Sequence, residues 1–292
     1  MKKKHILFIV NPISGGKSKT GLRNLINKYL DANIYDFEVI EAQYPKHAKE
    51  IVQANSQADI IVAVGGDGTI NEVAQEVYKT DKLMGIVPMG SGNGLARHLS
   101  IPLKPEQAIQ ALNTAIPHKI DTATLNDCFF VSVAGVGFDS EVAKGFDQSK
   151  GRGLWNYFRV GTQSFFTYKE QDYTLQVDGK KIKRSAFMIT IANSNQFGYN
   201  TKISPLASVK DGLLDVCILK KPEVWHTPVL AYKFFKSKAH TSSFLEIINA
   251  KHVIIAPNPS EHANVDGEIM RVGKTVEVKI QEKKLNILLP KK

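Results

Sequence analysis

Residues 60–72 read Ile-Ile-Val-Ala-Val-Gly-Gly-Asp-Gly-Thr-Ile-Asn-Glu. The apolar run at 60–64, bounded by glycines, predicts a buried strand. Apolar residues at positions 70, 73, 74 and 77 have helical spacing, which predicts a helix directly after the glycines. We therefore expect Asp67 in a glycine turn between the end of a strand and the N-terminus of a helix.

A turn of this kind is suited to bind phosphate. Backbone N–H groups and the helix dipole both point at it, and glycine lets a ligand approach the backbone closely. A carboxylate in such a place repels phosphate unless it holds a cation or a proton. The simpler alternative is that Asp67 only caps the helix. We favour phosphate chemistry because the whole Gly-Gly-Asp-Gly-Thr string follows a buried strand.

Composition limits the class of protein without choosing a function. The chain has 292 residues, enough for two domains or one large one. Hydrophobic residues make up 43% and charged residues 23%, which predicts an ordered globular chain. Lysine and arginine total 38 against 28 acidic residues, a net charge of +10. This excess favours anionic partners such as nucleotides, acidic lipid surfaces or nucleic acid.

The sequence also carries hints about compartment. Cys128 and Cys217 stand in apolar runs and are expected to be buried thiols in a reducing compartment. The apolar run at 6–10 is too short for a secretory signal, and no run is long enough to span a bilayer. We expect a cytoplasmic protein whose membrane contact, if any, is peripheral and at the inner face. Oligomeric state cannot be inferred.

The first 120 residues alternate between strand and helix patterns. Strands are predicted at 6–10, 37–40, 60–64 and 84–88, and helices at 22–30, 48–54, 70–78 and 105–112. This alternation predicts a parallel sheet covered on both faces, with ligands beyond the carboxyl ends of its strands. Glycine-rich loops at 11–18, 65–69 and 89–94 each follow a strand, so all three should open on one edge.

The pattern changes near residue 121. Short β-branched or aromatic runs occur at 121–125, 129–134, 173–177, 187–192, 214–219, 253–256 and 275–280. They predict an antiparallel β-sandwich domain over 121–282, after an α/β domain over 1–120. Helical interruptions are expected at 151–170 and 223–238. A last strand at 285–289 could pair with either domain; residues 283–292 would complete the first domain if it pairs there.

Five sequence pieces match a known family in the family's order. They are Asn11-Pro12 with Ser14-Gly15, Gly65 to Glu72, Pro88 to Asn93 with Ala96-Arg97, Asp211 to Leu214, and Val265 to Glu268. The chain resembles the diacylglycerol kinase catalytic-domain superfamily, which includes bacterial lipid kinases, diacylglycerol kinases, sphingosine kinases and ceramide kinases. The resemblance implies a nucleotide-binding α/β domain, then a β-sandwich lipid-substrate domain whose final strand often returns to the first.

The resemblance also implies an activity, namely Mg²⁺-dependent transfer of the γ-phosphoryl group of ATP to a lipid alcohol in phospholipid biosynthesis. The string Gly90-Ser91-Gly92-Asn93 is similar to the corresponding string of sphingosine kinases. The lipid that accepts the phosphoryl group is therefore open between diacylglycerol, a sphingoid base and another lipid alcohol. An NAD kinase and a non-enzymatic nucleotide-binding module are the alternatives. Asp67 argues against a nucleic-acid-binding module, because a carboxylate without a cation repels phosphate.

Roles follow for the nucleotide site. We expect the backbone N–H groups of Gly66, Gly68 and Thr69 to hold phosphates, and Asp67 to organise Mg²⁺ through water. Asn11, Ser14 and Ser91 would line the nucleotide, with Lys17 as a countercharge. The candidate nucleotide-binding residues are Asn11, Pro12, Ser14, Gly15, Lys17, Gly65, Gly66, Asp67, Gly68, Thr69, Asn71, Glu72, Ser91 and Asn93.

Two further roles come from the resemblance alone. Glu268 matches the position regarded as the proton acceptor for the lipid hydroxyl, although Asp266-Gly267 also predicts an ordinary hairpin turn beside it. A structural Mg²⁺ site maps to the Ser208 carbonyl, Asp211 and the Leu213 carbonyl. A plain Asp211-Gly212 turn is the alternative there.

Aromatic residues stand beside basic ones in two segments. One is 153–168, and the other reads Tyr-Lys-Phe-Phe-Lys-Ser-Lys at 232–238. Each could be a helix packed on the sandwich or a contact with an anionic membrane. The net charge of +10 makes attraction to such a membrane plausible.

Overall fold

A computed structural model describes residues 3–12, 21–148, 161–162, 164–196 and 201–291. The chain divides into two compact units. The first comprises residues 1–120 together with 283–292, and the second comprises residues 121–282.

The first unit is built on a parallel sheet. Its strands are β1 (Lys4–Val10), β2 (Tyr35–Glu41), β3 (Ile60–Gly65) and β4 (Leu83–Pro88). Its helices are α1 (Leu22–Tyr29), α2 (His47–Ala54), α3 (Asp67–Val77), α4 (Gly94–His98) and α5 (Pro105–Leu112). The strand order is β2-β1-β3-β4, and every neighbouring pair is parallel, which confirms the predicted fold class. Every residue of β3 is buried, as expected when helices cover both faces.

Two elements here differ from the sequence expectation. Helix α3 begins at Asp67 rather than Ile70, because the extended Gly66 (φ −93°) is its cap and Asp67 already lies in the first turn. The second element is helix α4, where the sequence predicts only a glycine-rich loop at 89–94. Its first residue is Gly94, and the glycines at 90, 92 and 94 hid a five-residue helix with buried Leu95 and Ala96.

The second unit is an antiparallel β-sandwich. Its strands are β5 (Ile116–Leu125, which begins in the first unit), β6 (Cys128–Phe130), β7 (Val133–Gly137), β8 (Gln171–Val177), β9 (Lys180–Ala186), β10 (Met188–Ala192), β11 (Leu214–Leu219), β12 (Leu245–Ala250), β13 (His252–Ala256), β14 (His262–Val265), β15 (Glu268–Arg271) and β16 (Val276–Leu289). Its helices are α6 (Phe138–Gln148) and α7 (Thr227–Phe235). Helical residues also occur at 161–162 and 164–167, and residues 151–160 of the aromatic segment lie outside the described residues.

The sandwich has two layers around one core. One layer has the order β16-β13-β8-β9, and the other β12-β11-β10-β7-β14-β15. Tyr173, Leu175 and Val253 of the first layer pack with Ile189 and Val216 of the second. All five side chains are buried. The predicted antiparallel sandwich is therefore confirmed.

Two strand predictions need correction. The run at 129–134 is not one strand, because β6 ends at Phe130 and β7 begins at Val133. The runs at 275–280 and 285–289 form one strand, β16. The sequence predicts two separate strands there because the residues between them, 281–284, are the polar Gln-Glu-Lys-Lys, and Lys283 does have a left-handed backbone (φ 48°).

The last strand pairs with the first unit. Ile287 of β16 lies beside Met84 of β4 in parallel register. Leu285 and Ile287 are fully buried. The C-terminal residues therefore add a strand to the parallel sheet beyond β4.

The cysteines are free thiols, with Cys217 buried and Cys128 half-buried rather than buried as expected. Burial raises the pKa of the Cys217 thiol, with the charge of Asp215 adding to the rise. Among the helices that the structure describes, none combines the length and the apolar content needed to cross a bilayer.

Candidate active site

Three strand ends lie side by side at the carboxyl edge of the parallel sheet. The Met89 N–H, just after β4, donates to the Gly65 carbonyl at the end of β3 (2.8 Å). The Asn11 N–H, just after β1, donates to the Val64 carbonyl (3.2 Å). The predicted loops after β3 and β4 therefore share one edge. The loop after β1 starts there too, but its residues 13–18 lie outside the described part of the chain.

The loops after β3 and β4 touch backbone to backbone. A Cβ placed on Gly90 would lie 2.4 Å from the Gly66 Cα and 2.9 Å from the Asn93 Oδ1. A Cβ on Gly65 would lie 2.5 Å from the Thr69 Oγ1. Real side chains do not fit at such distances, so positions 65 and 90 require glycine. Glycine at position 90 is therefore needed for the contact between the two loops, independently of any ligand.

Asp67 joins the two loops. Its Oδ1 accepts a hydrogen bond from the Gly94 N–H, the first residue of α4 (2.7 Å). Asp67 is also the acidic residue in the first turn of α3, where the helix dipole favours negative charge. The Asp67 carboxylate is thus held at the strand edge by one charge-assisted bond across the two loops.

Asn93 shapes the third loop from within. Its Oδ1 accepts the Gly90 N–H (3.0 Å), and its Nδ2 donates to the Gly90 carbonyl (2.9 Å). Its backbone is left-handed (φ 53°), which asparagine tolerates. The Arg97 Nε closes the loop by donating to the Gly92 carbonyl (3.0 Å). Both ends of the Asn93 amide are therefore used inside the loop.

The remaining residues predicted to bind the nucleotide differ in their exposure and in their contacts. Ser91 is exposed at the tip of the third loop, Asn11 and Gly68 are half-buried, Thr69 is buried, and Pro12 is exposed. Asn71 and Glu72 lie further along α3, where the Glu72 Oε1 accepts the Ala48 N–H of α2 (3.2 Å). Glu72 therefore links two helices. Ser14, Gly15 and Lys17 lie outside the described residues, and their roles stay predictions.

Glu268 is the first residue of β15 in the second unit. It pairs with Val265 of β14, and the two flank a two-residue turn at Asp266 (φ 48°) and Gly267 (φ 93°). Two positive φ values are typical of the tight turns that join antiparallel strands. The predicted hairpin is therefore present, and the Glu268 side chain is exposed beside its turn.

Asp266 anchors this hairpin. Its buried carboxylate accepts the backbone N–H groups of Val131 (2.8 Å), Ser132 (2.9 Å) and Val133 (2.9 Å). This explains why the run 129–134 is broken, since these N–H groups bond to a side chain instead of a neighbouring strand. The sequence predicts the turn at Asp266-Gly267 but not the three hydrogen bonds that Asp266 accepts.

Asp139 and Asn264 form a buried pair behind the same hairpin. The Asn264 Nδ2 donates to the Asp139 Oδ1 (3.0 Å). Within the described residues, the Asp139 Oδ2 and the Asn264 Oδ1 have no hydrogen-bond partner. Burial raises the pKa of Asp139 to about 6, opposed by the Asn264 hydrogen bond. A proton on Oδ2 would let the acid donate to the Asn264 Oδ1, satisfying both oxygens. Sequence analysis did not identify this pair.

The segment 208–213 forms a tight turn. The Asp211 Oδ1 accepts the Leu213 N–H (3.0 Å), and the Ser208 Oγ accepts the Lys210 N–H (3.3 Å). Gly212 has φ 73°, and its N–H donates to the Asp121 Oδ2 (2.8 Å). Within the described chain, no group of three or more His, Cys, Asp or Glu side chains gathers into a metal site. The Mg²⁺ site at Ser208, Asp211 and Leu213 stays a prediction beside the turn that the structure shows.

Comparison with known proteins covers both units. Residues 5–125 match the family model for the diacylglycerol kinase catalytic domain. Residues 132–289 match the model for the YegS C-terminal NAD kinase beta sandwich-like domain. An uncharacterized protein of Synechocystis is 30% identical, covering 98% of this chain and 70% of that protein. A Bacillus subtilis protein named diacylglycerol kinase is 26% identical, covering 92% of this chain and 90% of that protein.

The fold is also found among solved structures. A crystal structure of a diacylglycerol kinase from Bacillus anthracis covers 99% of this chain and 98% of that chain, with a TM-score of 0.73 and 17% sequence identity. At this identity the likeness extends to the fold alone.

The contact between the two glycine loops can be tested by Gly90→Ala. The added methyl group would meet the Gly66 backbone at 2.4 Å, so the loops must separate. We expect a loss of about 2 kcal/mol in the free energy of unfolding and weaker nucleotide binding. Urea unfolding and nucleotide titration measure the two effects. Gly161→Ala is the control, since among the described residues its Cβ would meet only Val142, at 3.9 Å. An unchanged Gly90→Ala protein would contradict the contact.

The buried acid predicts a pH dependence of stability. The folded-state pKa of Asp139 lies above its ordinary value of 3.8, so the stabilisation is complete below about pH 4 and is lost as pH rises through about 6. Asp139→Asn keeps the pair neutral at every pH. Relative to the wild type, we expect the variant to gain about 2 kcal/mol between pH 4.5 and pH 7.5.

Urea unfolding at the two pH values measures this gain. Asp172→Asn, on an exposed position of β8, is the matched control and should show none. Parallel pH profiles for the wild type and Asp139→Asn would show that the buried acid is not protonated.

Proposed function

Because this chain belongs to the diacylglycerol kinase catalytic-domain superfamily, we propose that it is an ATP-dependent kinase that phosphorylates the hydroxyl group of a lipid alcohol. The relative from Bacillus subtilis supports this proposal by its name, diacylglycerol kinase. The acceptor is proposed as a diacylglycerol or a sphingoid base.

One observation supports phosphoryl transfer most strongly. The carboxylate of Asp67 is bonded to the Gly94 N–H between two touching glycine loops, at the N-terminus of an 11-residue helix. Backbone N–H groups and the helix dipole there favour a phosphate chain. A carboxylate in the same place requires a cation between it and the phosphates.

Mg²⁺ fits this place chemically. It prefers one or two carboxylates, retains waters and takes substrate phosphates as its remaining ligands, and Asp67 provides one such carboxylate. When bound, Mg²⁺ would neutralise the charge that builds up on the transferring phosphoryl group. In this arrangement Asp67 holds the cation through water, and Gly66, Gly68 and Thr69 hold the phosphates by their backbone N–H groups.

Glu268 is proposed to take the proton of the lipid hydroxyl. Its support is the rigid turn beside it, because a general base must be held in position before its pKa matters. The Asp266 carboxylate fixes that turn through three backbone N–H groups. Glu268 would then act from a short hairpin in which Asp266, two residues earlier, is held in place by these hydrogen bonds.

The activity is tested with radiolabelled ATP, Mg²⁺ and a panel of lipid alcohols in detergent micelles. Label in the organic phase identifies a lipid kinase and its acceptor together. The same reaction with NAD tests the NAD kinase alternative, whose product stays in the aqueous phase. Nucleotide binding with no transfer to any acceptor would instead identify a non-enzymatic nucleotide-binding protein.

Asp67→Asn separates the structural and chemical roles of this residue. The amide keeps an oxygen that can accept the Gly94 N–H, so we expect a melting temperature close to that of the wild type. It loses the negative charge that holds the cation, so we expect turnover to fall by at least about a hundredfold. Asp81→Asn, an exposed aspartate of the same unit, is the control. Full activity of Asp67→Asn would reject the cation role.

Glu268→Gln tests the proposed base. Glutamine cannot take the proton, so we expect kcat to fall by about a hundredfold to ten-thousandfold while ATP binding is unchanged. Steady-state kinetics and nucleotide titration measure the two quantities. Glu261→Gln is the matched control in the same region, since the Glu261 carboxylate makes an ion pair with the exposed Arg271 (3.2 Å) and has no role in the proposed reaction. Retained turnover in Glu268→Gln would remove Glu268 from the reaction.

A further inference from the structure

Helix α7 and the turn before it expose an unusual amount of apolar surface. The exposed fractions are 72% for Trp225, 56% for Val229, 58% for Tyr232 and 54% for Phe235. Their spacing of four, three and three residues places them along one side of the helix. We call these four residues the α7 apolar face.

The opposite side of the same helix is already packed. Leu230 is buried in a core cluster with Leu219 and Leu245, and Phe234 packs against that cluster. These two side chains anchor α7 to the sandwich. The α7 apolar face is therefore not needed to hold the helix in place. Of the two alternatives left open for this segment, packing on the sandwich holds for one side of α7, and membrane contact of the other side stays a prediction.

Large exposed apolar groups in one patch indicate an interaction site. Scattered single residues need no such explanation, but here four large side chains line one helix. Val224, next to Trp225, is 52% exposed and extends the patch.

The charged residues around this face are mostly basic. Residues 224–245 contain three lysines and no aspartate or glutamate. Lys236 and Lys238 are exposed just beyond the end of α7. Lys233 donates its Nζ to the Thr241 carbonyl (2.9 Å), and its side chain is only half-buried. The flanking Glu223 accepts a hydrogen bond from the Trp225 Nε1 (2.7 Å) at the opposite end.

We propose that the α7 apolar face, together with Lys236 and Lys238, docks the protein on an anionic lipid bilayer. A helix with aromatic residues on one side and lysines at its border lies in the membrane interface, with its apolar side among the acyl chains. Trp and Tyr suit that depth because each has an apolar ring and a polar tip. The lysines add attraction to anionic headgroups.

A second copy of the chain fits this surface less well. In a symmetric dimer with parallel helices the patch would bring the lysines of both copies together, and with antiparallel helices a single Glu223 would face Lys236 and Lys238 of the other copy. The segment offers no acidic side chain between residues 224 and 245 to compensate them. An anionic bilayer satisfies both the apolar groups and the charge.

Sedimentation with vesicles tests the proposal without ATP or any acceptor lipid, so its outcome is independent of the proposed kinase activity. Vesicles of phosphatidylcholine with 30% phosphatidylglycerol, taken as roughly the anionic content that attracts basic surfaces, are compared with pure phosphatidylcholine. We expect the wild-type protein to bind the anionic vesicles and to be released by salt.

Two paired variants assign the binding to this surface. Trp225→Ser with Phe235→Ser should weaken vesicle binding by roughly tenfold or more, because two exposed aromatic groups no longer insert. Ile34→Ser with Leu103→Ser is the control pair, 42% and 38% exposed in the first unit, and should bind like the wild type. Melting temperatures close to that of the wild type are expected for both double variants and check that the fold is intact.

Charge reversal provides the second pair. Lys236→Glu with Lys238→Glu should also weaken binding by roughly tenfold and reduce its salt dependence. Lys180→Glu with Lys181→Glu, at the two exposed first positions of β9, makes the same change in net charge elsewhere. Equal losses of vesicle binding in both double variants would show that only net charge matters, which would overturn the proposed surface.

Insertion can be observed directly at Trp225. The chain has two tryptophans, Trp155 and Trp225, so Trp155→Phe leaves Trp225 as the single fluorophore. We expect lipids brominated in their acyl chains to quench its emission when anionic vesicles are added. No vesicle binding, no quenching, or a dimer that Trp225→Ser with Phe235→Ser dissociates would each overturn the proposal.

Discussion

The close approach of Gly66 and Gly90 is the constraint on which the candidate site depends. It brings the loops after two parallel strands into backbone contact, which no other residue type would allow at these distances. The hydrogen bond from the Gly94 N–H to Asp67 then fixes a negative charge across that contact. Asn93 and Arg97 complete the third loop with bonds to Gly90 and Gly92. The candidate site is thus held in shape by contacts within the protein itself.

The second unit uses the same physical device in a different setting. There a carboxylate, Asp266, also accepts backbone N–H groups from a segment far away in sequence. Behind it, Asp139 and Asn264 are buried with one orphaned oxygen each among the described residues, a cost that a shared proton removes. In both units an aspartate holds together chain segments that the hydrophobic pattern alone does not join.

Sequence patterns predicted what depends on local periodicity. The strands and helices of the first unit were found because apolar runs and helical spacing are explicit there, and helix α5 was predicted with its observed bounds. Helix α4 was missed because the glycines at 90, 92 and 94 predict a loop. The break between β6 and β7 was missed because it depends on bonds from residues 131–133 to the distant Asp266. The Asp139–Asn264 pair, separated by 125 positions, gives no local signal at all.

Strand β16 makes the first unit discontinuous in sequence. Its strands β1 to β4 lie within residues 4–88, but the strand beside β4 is supplied by residues near 287. During synthesis on the ribosome, this edge of β4 lacks its neighbour until residues 285–289 have emerged. The parallel sheet is therefore completed only after the whole second unit has been made, and until then the nascent protein carries an open, apolar sheet edge.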